Sequence, residues 1–311
     1  MWQRTPTMIG CLALVAAAAT PAAGATVERE FNESFDVAPG MTLRLVHGDG
    51  DVEIRPWNED RLEVHVRYHV VSRGFGGPGD FEVDFDRSGD VVSVEGKEIG
   101  GSVFLGGRRT HEYLYRIQGP PYLLLELRGD DGDVEISDWA AAIDLRSDDG
   151  DVLIEGLDGD LVAQVDDGDL ELFDCAVGTA DLRLEDGDVT LRRGSGAWRF
   201  VLDDGDLDLR DLSATRLEAR AEDGDITIEL APAPSFSGIL RTDDGDVSLG
   251  LYSGFSARFS IEVDDGSMAL QAPDITVGSK SERRTSGTIG GGAGVLEIQT
   301  SDGDVTLRAG D

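Results

Sequence analysis

Apolar residues recur at every second position on either side of a repeated Asp-Gly-Asp. Two residues after the glycine stand Val134, Val152, Leu170, Val189, Leu207, Ile226, Val247, Met268 and Val305. Four residues after it stand Ile136, Ile154, Leu172, Leu191, Leu209, Ile228, Leu249, Leu270 and Leu307. Five residues before it stand Leu127, Leu145, Ala163, Leu182, Phe200, Ala219, Leu240, Ile261 and Ile298. The intervening positions, such as Asp151, Glu171, Thr190, Asp208 and Thr227, are mostly polar. A period of two means strands with one buried and one wet face. Each repeat therefore predicts two short strands joined at Asp-Gly, with a second, variable turn such as Val177-Gly178-Thr179 or Gly194-Ser195-Gly196 closing the unit.

The repeat is regular in length. Its glycines are Gly132, Gly150, Gly168, Gly187, Gly205, Gly224 and Gly245, at spacings of 18, 18, 19, 18, 19 and 21 residues. Gly266 follows after 21 more and Gly303 after 37, while Gly50 is an isolated early copy. Asp-Gly between alternating apolar residues is a hairpin signal, so an antiparallel β-meander is one topology, with Leu184 opposite Val189 and Leu182 opposite Leu191. Near-constant length favours the other, an all-β parallel β-solenoid (a single-stranded β-helix of ~18–21-residue coils), because stacked coils must match in length and hairpins need not.

Outside the array the pattern changes. Residues 1–25 read as a signal peptide: Arg4, an apolar stretch from Met8 to Ala19, and Ala23-Gly24-Ala25 as the cleavage site, so that the mature chain starts at Thr26. That stretch is well short of the ~20 residues of a spanning helix, and no transmembrane segment is expected in the mature chain. The product is expected to be exported, to the periplasm or to the cell surface and extracellular space. Residues 26–118 read as an irregular N-terminal β region or cap, with strands at Phe81–Phe85 and Val91–Val94 and flexible loops at 74–79 and 100–107. Residues 119–311 form the regular array, with a bulging loop at 278–294.

Charge narrows the partners. Asp plus Glu number 62 against 27 Lys plus Arg, a net charge of −35. Such a field repels phosphate backbones and anionic lipids, which excludes nucleic acid as a partner. Many of the acids come as triplets at the turns. Divalent-cation chemistry would use stacked pairs, giving a Ca²⁺ ladder over Asp149, Asp151, Asp167, Asp169, Asp186, Asp188, Asp204, Asp206, Asp223, Asp225, Asp244 and Asp246, since Ca²⁺ takes ~6–8 oxygen ligands. Turn chemistry explains one Asp beside each Gly, and adaptation to salt is a third account. No EF-hand loop or calcium β-roll nonapeptide is present in the sequence. Otherwise the chemistry is thin. His65 and His69 lie ~13 Å apart on one strand, too far for a shared metal, and are expected to point outward while Leu62, Val64, Val66, Tyr68 and Val70 point in. Cys175 is left alone after cleavage and reads as packing. His47 and His111 find no partner by sequence.

Two segments carry a family resemblance. One is Phe35-Asp36-Val37-Ala38-Pro39-Gly40, Leu43-Arg44-Leu45, Gly50-Asp51-Val52-Glu53-Ile54 and Trp57; the other is Gly290 to Ile298 followed by Ser301-Asp302-Gly303-Asp304-Val305-Thr306-Leu307. With the repeats between them, the chain resembles the bacterial putative-adhesin family of β-strand-repeat domains of unknown function, which is similar to head domains of putative autotransporter adhesins. The resemblance implies an exported, all-β, repeat-built domain, and it supplies no catalytic residues. The long flat face of a regular solenoid suits a non-enzymatic scaffold that binds a protein or a cell-surface glycan. The alternative is a carbohydrate-active β-helix enzyme, a lyase or hydrolase. Its mark would be unlike residues breaking the repeat at one level, and the sequence breaks only mildly, at Trp198, Phe200 and around Arg283.

Overall fold

The computed structural model describes residues 25–75, 80–99, 105–233, 235–272 and 274–310, and all their regular elements are strands. The signal-peptide segment up to residue 24 lies outside the described residues, as do 76–79 and 100–104 within the two predicted loops. Either side of those gaps the chain is strand, up to Phe75 and again from Leu105.

In the array, equivalent strands of successive repeats pair in parallel. Leu145 lies between Leu127 and Ala163, and Leu191 between Leu172 and Leu209. The hairpin partners expected of a meander do not form: Leu182 pairs with Phe200 and Leu184 with Leu202. The result is β-solenoid-like. Strands before the Asp-Gly turns make one ladder, strands after them make a second, and the alternating apolar side chains of both meet in one continuous core. Trp198 and Phe200 stack in that core with centroids 5.8 Å apart, so the mild break in the repeat is a packing feature.

Two backbone constraints recur along the array, one in every coil and one in five of them. The turn glycines have φ between +116° and +150° from Gly132 to Gly303, and each packs on the glycine of the neighbouring coil. Six residues later a second left-handed position appears, at Asp138, Gly156, Asp174, Arg193 and Asp211. This corner escapes sequence reading because its residue type varies.

The order of coils departs from chain order at both ends. Seven strands open the chain: β1 (Ala25–Asp36), β2 (Thr42–Asp49), β3 (Asp51–Pro56), β4 (Arg61–Phe75), β5 (Asp80–Ser88), β6 (Val91–Ile99) and β7 (Leu105–Gly119). The isolated Gly50 copy, β2 and β3, is the coil that precedes Gly132: β2 pairs with Leu124–Asp131 and β3 with Val134–Ser137. The intervening chain closes the end. β1, β4 and β7 are antiparallel neighbours, with β7 parallel to β3; β5 and β6 form a hairpin, with β6 parallel to β2. Phe31, Tyr68, Phe81 and Tyr113 plug the core there, with ring centroids 5.1–5.9 Å apart.

At the other end the Gly303 coil does not follow Gly266. Its strand Gly294–Asp302 pairs in parallel with Ser237–Asp244 on one side and Ala257–Asp265 on the other. The last coil of the chain is thus inserted between its two predecessors. The stretch 278–294, expected to bulge as a loop, instead carries strands Ile275–Lys280 and Arg284–Ile289, which extend the sheet as an antiparallel hairpin on Ala257–Asp265.

Candidate functional site: acidic turns and lateral faces

The predicted ladder residues fall into two sets. Asp151, Asp169, Asp188, Asp206, Asp225 and Asp246, each directly after a glycine, use a carboxylate oxygen to hold the neighbouring coil. Oδ1 of Asp151 accepts the backbone N–H of Asp169 at 3.0 Å, Asp169 that of Asp188 at 2.9 Å, and Asp188 that of Asp206 at 2.8 Å. Asp206 accepts from Asp225 and Asp225 from Asp246, both at 2.8 Å. The chain of bonds starts at Asp51, which accepts from Asp133. It ends with Asp246 accepting from Asp304, and Asp304 from Ser267. A backbone donor that the parallel ladder leaves over is therefore satisfied by a side chain one coil away, which is why an acid or its amide belongs after each glycine.

Asp149, Asp167, Asp186, Asp204, Asp223 and Asp244, each directly before a glycine, contribute differently. Their main-chain carbonyls accept the glycine N–H of the preceding coil, as from Gly132 to Asp149 at 3.2 Å and from Gly205 to Asp223 at 3.0 Å. Their side chains are exposed and stand outside the inter-coil ladder. Among the described residues, no group of three or more His, Cys, Asp or Glu is arranged to hold a metal ion.

Arginines on the strands before the turns bond away from the turn acids. Arg183 lies 3.3 Å from Asp181, Arg220 lies 3.1 Å from Glu218, and Arg241 donates to Gln299 at 2.9 Å. These pairs line the lateral face made by the strands before the turns. Near Trp198 they merge into a network in which Arg199 bridges Asp181 at 3.0 Å and Glu218 at 3.9 Å. Beside it a shallow groove of about 310 Å³ exposes Val162. Each carboxylate in this network is paired with a guanidinium, so it holds no free acid–base pair of the kind glycoside chemistry needs. The second lateral face, from the strands after the turns, presents the stacked row Glu171, Thr190, Asp208, Thr227, Ser248 and Thr306.

The remaining candidates resolve simply. β4 alternates as expected, with Leu62, Val64, Val66, Tyr68 and Val70 buried and His65 and His69 on the outer face. His69 lies 3.7 Å from Glu112. Cys175 is buried with Sγ 3.4 Å from the Phe173 carbonyl, and burial pushes its thiol up to about 11. Sequence reasoning missed one constellation, where Glu98, His111 and Tyr113 meet beside a buried His47. Alternation along Tyr113-Leu114-Tyr115-Arg116-Ile117 was the available signal, since it turns Tyr113 and Tyr115 inward.

No curated protein matches the chain. Three solved structures align along nearly its whole length at low similarity. A putative adhesin from Bacteroides fragilis is 13% identical with a TM-score of 0.45, covering 89% of this chain and 96% of that one. A putative adhesin from Parabacteroides merdae is 10% identical with a TM-score of 0.42, covering 89% and 95%. A putative lipid binding protein from Parabacteroides distasonis is 10% identical with a TM-score of 0.35, covering 90% and 97%. The sequence profile called Toastrack DUF4097 matches twice, over residues 123–201 and 195–308, which together span all the consecutive coils and the inserted one. On that match the chain belongs to the Toastrack DUF4097 family, a bacterial domain of unknown function.

Proposed function

We propose that the chain is an exported, non-enzymatic scaffold, a single-stranded parallel β-solenoid whose lateral faces bind a protein or a cell-surface glycan in an adhesin-like manner. The observation that carries this reading is the matched register of like strand positions from coil to coil, which shifts only at corners such as Ala176 to Thr179 and Gly196 to Ala197. It lays polar side chains in straight rows at the ~4.8 Å spacing of paired strands, a geometry suited to an extended partner and not to a closed catalytic cleft. The turn carboxylates support it, because those after the glycines are engaged in holding coils together. Export rests on residues 1–25 of the sequence. Among the described residues no helix is long and apolar enough to cross a membrane.

The test is capture from periplasmic and surface fractions by the purified protein, with and without Ca²⁺, followed by the same capture with Thr190→Arg and Thr227→Arg together on the post-turn face. A partner that is retained by the native face and lost by the variant supports the scaffold. Capture indifferent to substitutions on both faces, or release of unsaturated or reducing sugars from polysaccharide by the purified protein, overturns it.

A further inference from the structure

The two ends of the coil stack are finished differently. At the N-terminal end the outermost strands are β1 and β5, and each is tied to the backbone of the other. Arg29 of β1 donates to the Phe81 carbonyl at 3.2 Å, and Arg87 of β5 donates to the Asp36 carbonyl at 2.6 Å. With aromatic rings packed between them, these bridges blunt both edges against a further strand.

At the other end the outermost strand is Ile275–Lys280. Among the described residues its one ladder partner is Arg284–Ile289, so its second edge is free. The ladder fixes which backbone groups lie on that edge. The Gly290 N–H donates to the Asp274 carbonyl at 3.1 Å, which makes those two residues a hydrogen-bonded pair. Bonded and non-bonded pairs alternate in an antiparallel ladder. Up to the register shift beyond Val277, Thr276 opposite Thr288 is therefore bonded, while Ile275 opposite Ile289 and Val277 opposite Gly287 are not. The N–H and C=O groups of Ile275 and Val277 thus point to the free edge. The side chains are uncovered as well: Val277 is 45% exposed, and Met268, Leu270 and Ile275 are only partly buried although they pack on the core.

Charge singles out the same place. Residues 274–284 hold three cations, Lys280, Arg283 and Arg284, against two acids, Asp274 and Glu282, in a chain whose acids outnumber its cations 62 to 27. Two copies of so acidic a chain repel over most of their surface, and here that repulsion is relieved. The strand is also self-complementary. Asp274 stands before its first residue and Lys280 at its end, both exposed, and Lys280 has no ion-pair partner among the described residues. An antiparallel pairing of the strand with its own copy, centred on Val277, brings each Lys280 end beside the Asp274 end of the other and sets the two Val277 residues together.

We propose that Ile275–Lys280 is a homodimer interface, at which two copies join their free edges antiparallel about a two-fold axis and continue the sheet from one molecule into the other. A self-complementary edge closes on itself, so the product is a dimer and not a filament. The interface lies at the end of the coil stack, goes beyond the scaffold reading, and leaves the lateral faces free.

The experiment is sedimentation velocity of the purified protein from low-micromolar to sub-millimolar concentration, with amide hydrogen exchange at both ends of that range. Expected are a rise from monomer to dimer mass and concentration-dependent protection of the Ile275 and Val277 amides. Val277→Pro removes an N–H that points to the free edge, sparing the bonds to Arg284–Ile289, and should weaken the dimer at least about tenfold. Lys280→Asp and Asp274→Lys, each alone, should weaken it about tenfold by setting like charges together. The left-handed backbone of Asp274, at φ +62°, is one that Arg193 also adopts. Mixed with each other, the two charge variants should recover the dimer, because both end pairs then have opposite sign, and a folding defect cannot produce that recovery. Monomer at every concentration would overturn the proposal. So would a dimer indifferent to Val277→Pro, or charge variants that either associate as the wild type does or fail to recover on mixing.

Discussion

Replacing Gly205 by alanine tests the coil stacking directly. A β-carbon on Gly205 would sit 2.1 Å from the carbonyl oxygen of Gly187 in the adjacent coil. Relief requires the two coils to separate by about 1 Å out of their ~4.8 Å spacing, against the bond from the Gly205 N–H to the Asp223 carbonyl at 3.0 Å on the other side. The φ of Gly205, +140°, adds a cost of its own, since side chains rarely adopt it. Overpacking is worth ~1–3 kcal/mol and a disallowed backbone region a further ~1–3 kcal/mol, offset by ~0.4–1 kcal/mol from the stiffer unfolded chain. The expected net loss is about 3 kcal/mol. Gly40→Ala is the matched control, because Gly40 has φ +88° and nothing within 4 Å of where a β-carbon would stand. It carries the backbone term alone and should lose about 1 kcal/mol. Urea unfolding followed by far-ultraviolet circular dichroism and by the fluorescence of buried Trp139 and Trp198 measures both. If the two variants lose the same stability, the glycine-on-glycine stack is wrong.

Other expectations follow from the same contacts. Asp206→Asn keeps the acceptor for the Asp225 N–H and removes a charge, so its melting point should match the wild type or exceed it, while Asp206→Ala should melt lower. Melts in NaCl and CaCl₂ at matched ionic strength should coincide if the turn acids are only screened, and a higher midpoint in CaCl₂ would mean the stacked aspartates hold the ion. Burial holds His47 neutral, with its pKa below the ordinary value of 6.5. The unfolded chain therefore takes up that proton first, and stability present above about pH 6.5 should fall as pH drops below it; His47→Gln should flatten the urea midpoint between pH 7.5 and 5.5. Cys175, with its thiol near 11, should resist thiol reagents at pH 8 until the chain is unfolded, and fast labelling in native buffer would contradict its burial. N-terminal sequencing of the exported protein should begin at Thr26, and an intact Met1 on exported material would refute cleavage.

The local pattern was legible because each signal is local. Alternation around Gly187 places Leu182, Leu184, Val189 and Leu191 inward, and all are buried. The acid after each glycine was half legible: turn chemistry was the right kind of explanation, but its partner is the N–H of the next coil rather than a group within the same turn. Coil order was not legible at either end. The 82 residues between Gly50 and Gly132 disguise two adjacent coils, and the 21 between Gly245 and Gly266 suggest neighbours that are not in contact as coils. Spacing reports coil length, whereas adjacency is settled by which edges compete in three dimensions. The constellation around Glu98 and Tyr113 was hidden for a related reason. Asp49, Glu98, Tyr113 and Asp130 come from four separate stretches, and only the parting of β2 from β6 brings them together.

The inserted coil makes residues 294–309 the keystone of the array. Before residues 294–309 are made, Ala257–Asp265 has the right length of linker, 21 residues between glycines, to settle directly on Ser237–Asp244. In the finished protein that seat belongs to Gly294–Asp302. A chain emerging N-terminus first thus meets a plausible wrong neighbour before the right one exists. Reaching the native order means either keeping that seat vacant or evicting its first occupant. Completion of the fold is therefore tied to the synthesis of residues 294–302, and a copy cut short before Gly294 would keep nearly every repeat yet lose the strand that fixes their final sequence.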